Sequence, residues 1–176
     1  VDTNGNSYVT GHFRGVANFG STVLTASGTS DIFVAKYDLN GGLRWVKQAG
    51  GTNVDDVAVV GTALSDTALG IKLDRIGNSF VTGVLNRAGF LAKYSSGGDR
   101  IWLIENLPFK GNNVAVDTTG NSFVTGTFGG TISFGASTLI SNGSADIIIA
   151  EFDTTGKPIR ATHAGGKGED QPYGIA

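Results

Sequence analysis

The stretch VDTNGNSYVTG (residues 1–11) returns as LDRIGNSFVTG (73–83) and again as VDTTGNSFVTG (116–126). Such self-similarity marks a tandem array, in which each copy is one supersecondary unit that buries its apolar surface against its neighbours. Within each copy Asp-x-x-Gly-Asn precedes an alternating run, Ser-Tyr/Phe-Val-Thr-Gly. The spacing predicts a tight turn: the Asp carboxylate accepts nearby backbone N–H groups and the Gly takes positive φ. The turn residues are Asp2, Gly5 and Asn6, then Asp74, Gly77 and Asn78, then Asp117, Gly120 and Asn121. A second turn of the same type lies at Asp38 to Gly41 and at Asp153 to Gly156.

Outward from the quoted phrase, copies one and three stay in register 115 residues apart, through Phe19-Gly20 and Phe134-Gly135, Asp31 and Asp146, Asp38 and Asp153, and Gly50-Gly51 and Gly165-Gly166. The middle copy starts 72 residues after the first, but its Phe90, Ala92, Lys93, Tyr94 and Trp102 lie only 57 after Phe33, Ala35, Lys36, Tyr37 and Trp45. It has lost 15 residues, the counterpart of the stretch around FGSTVLTASG (19–28) and FGASTLISNG (134–143). That stretch is therefore expected to be a dispensable surface loop or hairpin extension. Between Gly51 and Asp74 the first copy carries about 11 extra residues relative to the third, expected as another loop or a distorted strand.

Each unit resolves into four short strands, a to d. Strand a is LGIKLD (69–74), VAVD (114–117) and the terminal GIA (174–176); strand b is the NSYVTG or NSFVTG run. Strand c is DIFVAKYD (31–38), GFLAKYS (89–95) and DIIIAEFD (146–153), and strand d is LRWVKQA (43–49), RIWLIEN (100–106) and PIRATHA (158–164). Strand c is apolar at both parities, Ile32 and Val34 on one face and Phe33, Ala35 and Tyr37 on the other. A sheet wetted on one side alternates instead, so each small sheet is expected between two others, as blades are around a propeller axis. A two-layer sandwich fits less well. The expectation is an all-β chain, a β-propeller of four-stranded antiparallel blades with about three blades present, in one repeat region 1–176 with approximate repeats 1–68, 69–112 and 113–176.

The pattern Asp-x-x-Gly-Asn-Ser-Phe/Tyr-Val-Thr-Gly, then Phe-Gly, Asp-Ile-Phe-Val-Ala-Lys-Tyr-Asp, Trp and Gly-Gly closely resembles the bacterial β-propeller repeat known as SBBP, over essentially the whole chain. Departures are the shortened middle copy, its lack of the Gly-Gly pair, and Arg160 where the first two copies have Trp45 and Trp102. The resemblance implies a bacterial surface or secreted protein, an extracellular or cell-surface location, and no particular activity. Tyr173 to Ala176 followed by Val1-Asp2 would read GIAVDTNGNSYVTG, a complete strand-a junction. The expectations are further blades in a longer parent chain or a homo-oligomeric ring in which chains share terminal strands.

Composition narrows the function classes. There are 28 glycines against 3 prolines, and charged residues make up 16%, with a net charge of −2. The Lys and Arg residues are scattered, so no basic stripe tracks phosphates and nucleic acid is not an expected partner. No run is long and apolar enough for a membrane span in this segment, and with no cysteine there is no disulfide, thiol chemistry or Cys-based zinc site.

Asp2, Asn4 and Asn6 are calcium candidates, since oxygen ligands alternate through a Gly turn. Against this, Ile76 takes the Asn4 position in the middle copy, no bidentate acid follows, and turn formation explains the pattern without metal. No cofactor is expected. Asp55, Asp66 and Asp170 precede strand a as acids that tie units together or cap N–H groups. The pairs Asp55-Asp56 and Glu169-Asp170 point apart on an extended segment, which argues against paired acid and base work. His12 and His163 lack a partner at ligand spacing. Trp45 and Trp102 share one place in strand d, where they fill space between blades or stack on a sugar. No phosphate loop or nucleophile elbow is present. The expected function is a non-catalytic scaffold or interaction module with a protein or glycan partner. A carbohydrate-binding propeller is the alternative, and an enzyme whose axial site is completed by other blades is the second alternative.

Overall fold

The computed structural model describes residues 1–50 and 66–176, so Asp55, Asp56 and the extra sequence of the first copy lie outside the described residues. Those residues form fifteen strands and no helix. The first copy contributes β1 (Ser7–Phe13), β2 (Val16–Phe19), β3 (Thr22–Thr25), β4 (Asp31–Tyr37) and β5 (Leu43–Ala49). The second contributes β6 (Thr67–Leu73), β7 (Ser79–Leu85), β8 (Ala88–Tyr94) and β9 (Arg100–Leu107). From the third come β10 (Lys110–Val116), β11 (Ser122–Phe128), β12 (Thr131–Phe134), β13 (Ser137–Ile140), β14 (Asp146–Phe152) and β15 (Pro158–Ala164).

Every paired strand is antiparallel, and the strands sort into five sheets. Two are four-stranded meanders, β6-β7-β8-β9 and β10-β11-β14-β15; one is three-stranded, β1-β4-β5; β2-β3 and β12-β13 are separate hairpins. The expected a-to-d order thus holds in units two and three. Unit one differs: it has b, c and d but no a among the described residues, and neither Val1-Asp2 nor Gly174-Ile175-Ala176 is in a strand. A strand is defined by its partner, and Gly-Ile-Ala is too short to hold an extended shape without one. Strand a also starts earlier than LGIKLD and VAVD suggested, at Thr67 and Lys110, because register shifts at Ala68/Gly70 and Gly111/Asn113 interrupt the alternation.

Those shifts account for the glycine of the Val-Thr-Gly phrase. They carry the carbonyls of Thr67 and Lys110 onto Gly83 and Gly126, where any Cβ would collide with backbone oxygen. The trimmed middle copy turns from β7 to β8 through Asn86-Arg87, both at positive φ (51° and 71°), the pairing that lets a two-residue hairpin follow strand twist. In the other two units β2-β3 and β12-β13 fill this place as hairpins. One expectation about them is corrected: the third unit's hairpin is no dispensable excursion, since Phe134 and Leu139 are buried in the core. Phe134 packs edge-on against Phe152, and its ring centroid lies 6.0 Å from that of Phe109.

The core lies between units. One cluster joins Ile32 and Val34 of the first to Ala68, Val81, Phe90 and Ala92 of the second; the other joins Phe80 and Leu91 of the second to Val114, Val124, Ile148 and Ala150 of the third. Adjacent residues of β7 and β8 point to opposite faces, so the middle sheet is buried on both. The outer two each leave one face with exposed apolar residues, Val9 in the first and Ile149 in the third.

Candidate functional site

The repeated turns form as the spacing dictates. Asp2 Oδ1 accepts the N–H groups of Asn4 (3.0 Å) and Asn6 (2.9 Å), and Asn6 Nδ2 donates to Oδ2 at 2.8 Å. Asp74 repeats this with Ile76, Asn78 and the Asn78 amide, and Asp117 with Thr119, Asn121 and the Asn121 amide. Asp38 caps Asn40 and Gly42, and Asp153 caps Thr155 and Lys157. Gly5, Gly41, Gly77, Gly120 and Gly156 all take positive φ, from 79° to 93°.

These donors favour the charged carboxylate. The Asn6 side chain foremost, with the backbone N–H groups of Asn6 and Asn4, lowers Asp2 to about 2. Gly42 and Asn40 hold Asp38 below the ordinary carboxyl value, Thr119 does so for Asp117, and Thr155 for Asp153. Both oxygens of Asp2 face N–H donors, and Lys36 Nζ lies 3.4 Å from Oδ2, surroundings that suit a turn cap and repel a cation. The Asn6 side-chain amide turns its N–H2 toward Asp2, and Asn4 meets Asp2 through its backbone N–H. No group of three or more His, Asp or Glu that could hold a metal ion occurs among the described residues.

The remaining acids also serve local structure. Asp66 Oδ1 accepts Asn86 N–H at 2.8 Å, while its carbonyl accepts the Ser30 hydroxyl of unit one at 3.1 Å, tying two units together. Asp170 Oδ2 caps Gly166 N–H, and Glu169 instead takes the Gln171 amide, so the pair does not converge. His12 lies in β1 and His163 in β15, the latter edge-on to Phe128. Asp31 and Asp146 did not stand out in the sequence beyond their shared register. Both are fully buried and cap the returning leg of a hairpin, at Ser27 N–H and Asn142 N–H. Ala88 pairs with Leu85 at the corresponding place in the unit that lacks the hairpin, so the acid goes with the hairpin it ties down.

The tryptophans mark a repeated device between units. Trp45 Nε1 donates to the carbonyl of Ser96, in the c–d turn of unit two, at 3.2 Å; Lys36 Nζ reaches the same oxygen at 3.5 Å, and Tyr8 donates to the Gly77 carbonyl at 3.3 Å. Trp102 Nε1 donates to the carbonyl of Thr154, in the c–d turn of unit three, at 3.3 Å. Each indole stands edge-on to the strand-b aromatic ring, Tyr8 or Phe80, and each lysine, Lys36 or Lys93, sits over that ring at 4.9 or 4.7 Å. The turn glycine of the next unit lies on the indole. A Cβ at Gly98 would come within 2.8 Å of Trp45 Cδ2, and one at Gly156 within 3.3 Å of Trp102 Cδ2. Burial opposes the Lys36 charge, but the Tyr8 hydroxyl and the Asp2 carboxylate outweigh it and hold that ammonium above its ordinary value.

Unit three carries the same positions with different chemistry. Phe123 keeps the ring of Phe80, but Glu151 and Arg160 replace Lys93 and Trp102, and Arg160 Nε donates to Glu151 Oε2 at 2.6 Å. With Ile149 and Thr162 they line an open hollow of about 240 Å3. Sequence periodicity placed the tryptophans and the lysines at repeat positions but not the contacts that Lys36 and Tyr8 make with the Ser96 and Gly77 carbonyls, because those partners belong to the next unit. No helix of the described residues is long and apolar enough to cross a membrane. The chain matches no protein-family model and no curated protein.

Proposed function

We propose that the three units are successive blades of a β-propeller of the SBBP type and that the chain is a non-catalytic scaffold or interaction module of a bacterial surface or secreted protein. The observation that carries this reading is the tryptophan clamp made twice, with the same donor, the same turn and the same strand-b ring. The residues repeated from unit to unit are engaged in turns and in contacts between units, which is what a scaffold requires of them.

The carbohydrate alternative assigns Trp45 and Trp102 to a sugar, whereas a turn glycine of the next unit already lies against each of those rings. A glycan array probed with the purified chain tests the choice. The scaffold reading expects no saturable binding. Saturable binding that disappears in folded Trp45→Phe and Trp102→Phe variants would replace it with the carbohydrate reading.

A further inference from the structure

We propose that Asn142-Gly143 is a self-modifying site, at which the Gly143 backbone nitrogen displaces the Asn142 side-chain amide and the acid so formed loosens the β12-β13 hairpin from the core.

Asn-Gly pairs occur at 4–5, 40–41 and 142–143. Such a pair can convert without an enzyme, because glycine has no Cβ to shield the attacking nitrogen. The fold restrains the first two. Gly5 N–H donates to the Asp2 carbonyl at 3.1 Å and Gly41 N–H to the Asp38 carbonyl at 2.9 Å, so each nitrogen is held in its turn with its proton engaged. The Gly143 N–H has no acceptor among the described residues, and Asn142 is exposed in a bend outside any strand. Its amide is loosely held: Nδ2 lies 3.3 Å from Asp146 Oδ2 and 3.5 Å from the Gly165 carbonyl, both longer than an ordinary N–H···O bond.

The chemistry needs water and no other co-reactant. The Gly143 nitrogen bonds to Asn142 Cγ, the Cγ–Nδ2 bond breaks, and the displaced group takes the Gly143 proton and leaves as ammonia. Water then opens the cyclic imide. Opening at Cγ gives aspartate at 142, and opening at the main-chain carbonyl carbon gives isoaspartate, in which the main chain runs through the former side chain. One water is consumed, one ammonia is released, and nothing is oxidised.

The neighbour of the new carboxylate gives the reaction its consequence. Asp146 is 0% exposed, its Oδ1 has no hydrogen-bond partner, and no cation pairs with it among the described residues. Asn142 supplies its Oδ2 with a backbone N–H at 3.1 Å and the side-chain amide at 3.3 Å. Conversion replaces the second donor with a negative charge, and a buried carboxylate without a cation resists a second charge beside it. Isoaspartate also lengthens the main chain, which misaligns Ser144 with the Gly168 carbonyl that accepts its N–H and its hydroxyl, each at 3.2 Å. These bonds tie down the returning leg of the hairpin that places Phe134 and Leu139 in the core.

Packing dictates the glycine but not the asparagine. A Cβ at Gly143 would collide with the carbonyl oxygens of Gly166 and Gly168. At the position equivalent to Asn142, unit one has Ser27, which caps Asp31 through its backbone N–H at 3.0 Å. The reactive amide is therefore separable from the fold, and Asn142→Ser removes it while keeping the cap.

The test is peptide mapping by mass spectrometry on the folded chain during incubation in neutral buffer, followed by urea unfolding of the aged protein. Asn142 should convert first, with isoaspartate among its products, and Asn40 should convert more slowly by about fivefold or more, the worth of one hydrogen bond. In urea that difference should vanish, because the Gly41 bond is lost. The converted protein and Asn142→Asp should both unfold at lower urea than the fresh chain, and Asn142→Ser should keep its midpoint through the incubation. Asn40 keeping pace with Asn142 in the folded chain overturns the proposal, as does a rate difference that persists in urea. An unchanged midpoint after conversion overturns the loosening of the hairpin.

Discussion

Asp2 binds two backbone N–H groups and the Asn6 amide, and its carboxyl is lowered from 3.8 to about 2. A carboxyl depressed in the folded chain adds stability that is complete above its unfolded value and fades as pH falls toward the folded one. Between pH 3.8 and about 2 the melting temperature should therefore drop, and Asp2→Asn should flatten part of that drop. Asp38, Asp117 and Asp153 are depressed as well and keep the rest of the slope. An acid titration of melting temperature with identical slopes for both proteins would remove Asp2 from this role. Gly98 combines a φ of 90° with close approach to Trp45. Gly98→Ala should cost about 1–2 kcal/mol from the left-handed backbone alone, with the Trp45 contact adding to it. The aspartates were legible in the sequence because Asp-x-x-Gly is a local code, whereas Gly98 was not, since Ser95 stands where the other c–d turns have Asp38 and Asp153. The Val-Thr-Gly glycine was visible as a repeat but not as a reason, since its neighbour is a carbonyl on another strand, brought there by a bulge.

Hairpins β2-β3 and β12-β13 share a register and a capping acid, yet they are not equally embedded. Phe134 is 3% exposed in the core, whereas Phe19 leans on Phe13 and Phe33 at a more open face. Phe134→Ala should cost about 3–5 kcal/mol and Phe19→Ala clearly less, as measured by urea unfolding. The length difference between copies revealed that the hairpin is optional to the unit. It did not reveal that one hairpin had joined the core, because burial there depends on Phe109, from the segment between units. Strands b, c and d were readable from alternation and turn signals. Strand a was blurred by its bulges, and its terminal copy, GIA, is unpaired in this chain. Trp102→Ala should cost about 2–3 kcal/mol, below the full-core value because the ring is only partly buried, with Trp102→Phe recovering part of the loss.

Across the whole molecule, stability is expected to be greatest in the middle. The β7 and β8 strands are buried on both faces, and among the described residues β1 and β15 each have a sheet partner on one side only. Hydrogen exchange should be slowest at Val81, Thr82 and Leu91 and faster along β1 and β15. Packing of three sheets face to face was foreseeable from strand c, whose residues are apolar at both parities. Which faces would remain open was not, because periodicity does not identify neighbours. The central claim is that each unit clamps the next through one tryptophan, and the chain has just two tryptophans. A nitrogen-edited NOE spectrum, with the indole N–H signals assigned by Trp45→Phe and Trp102→Phe, tests it directly. The account predicts cross-peaks from the Trp45 indole N–H to Ser96 and the Gly98 Hα, and from that of Trp102 to Thr154 and the Gly156 Hα. Indole signals that contact only residues of their own unit would contradict it.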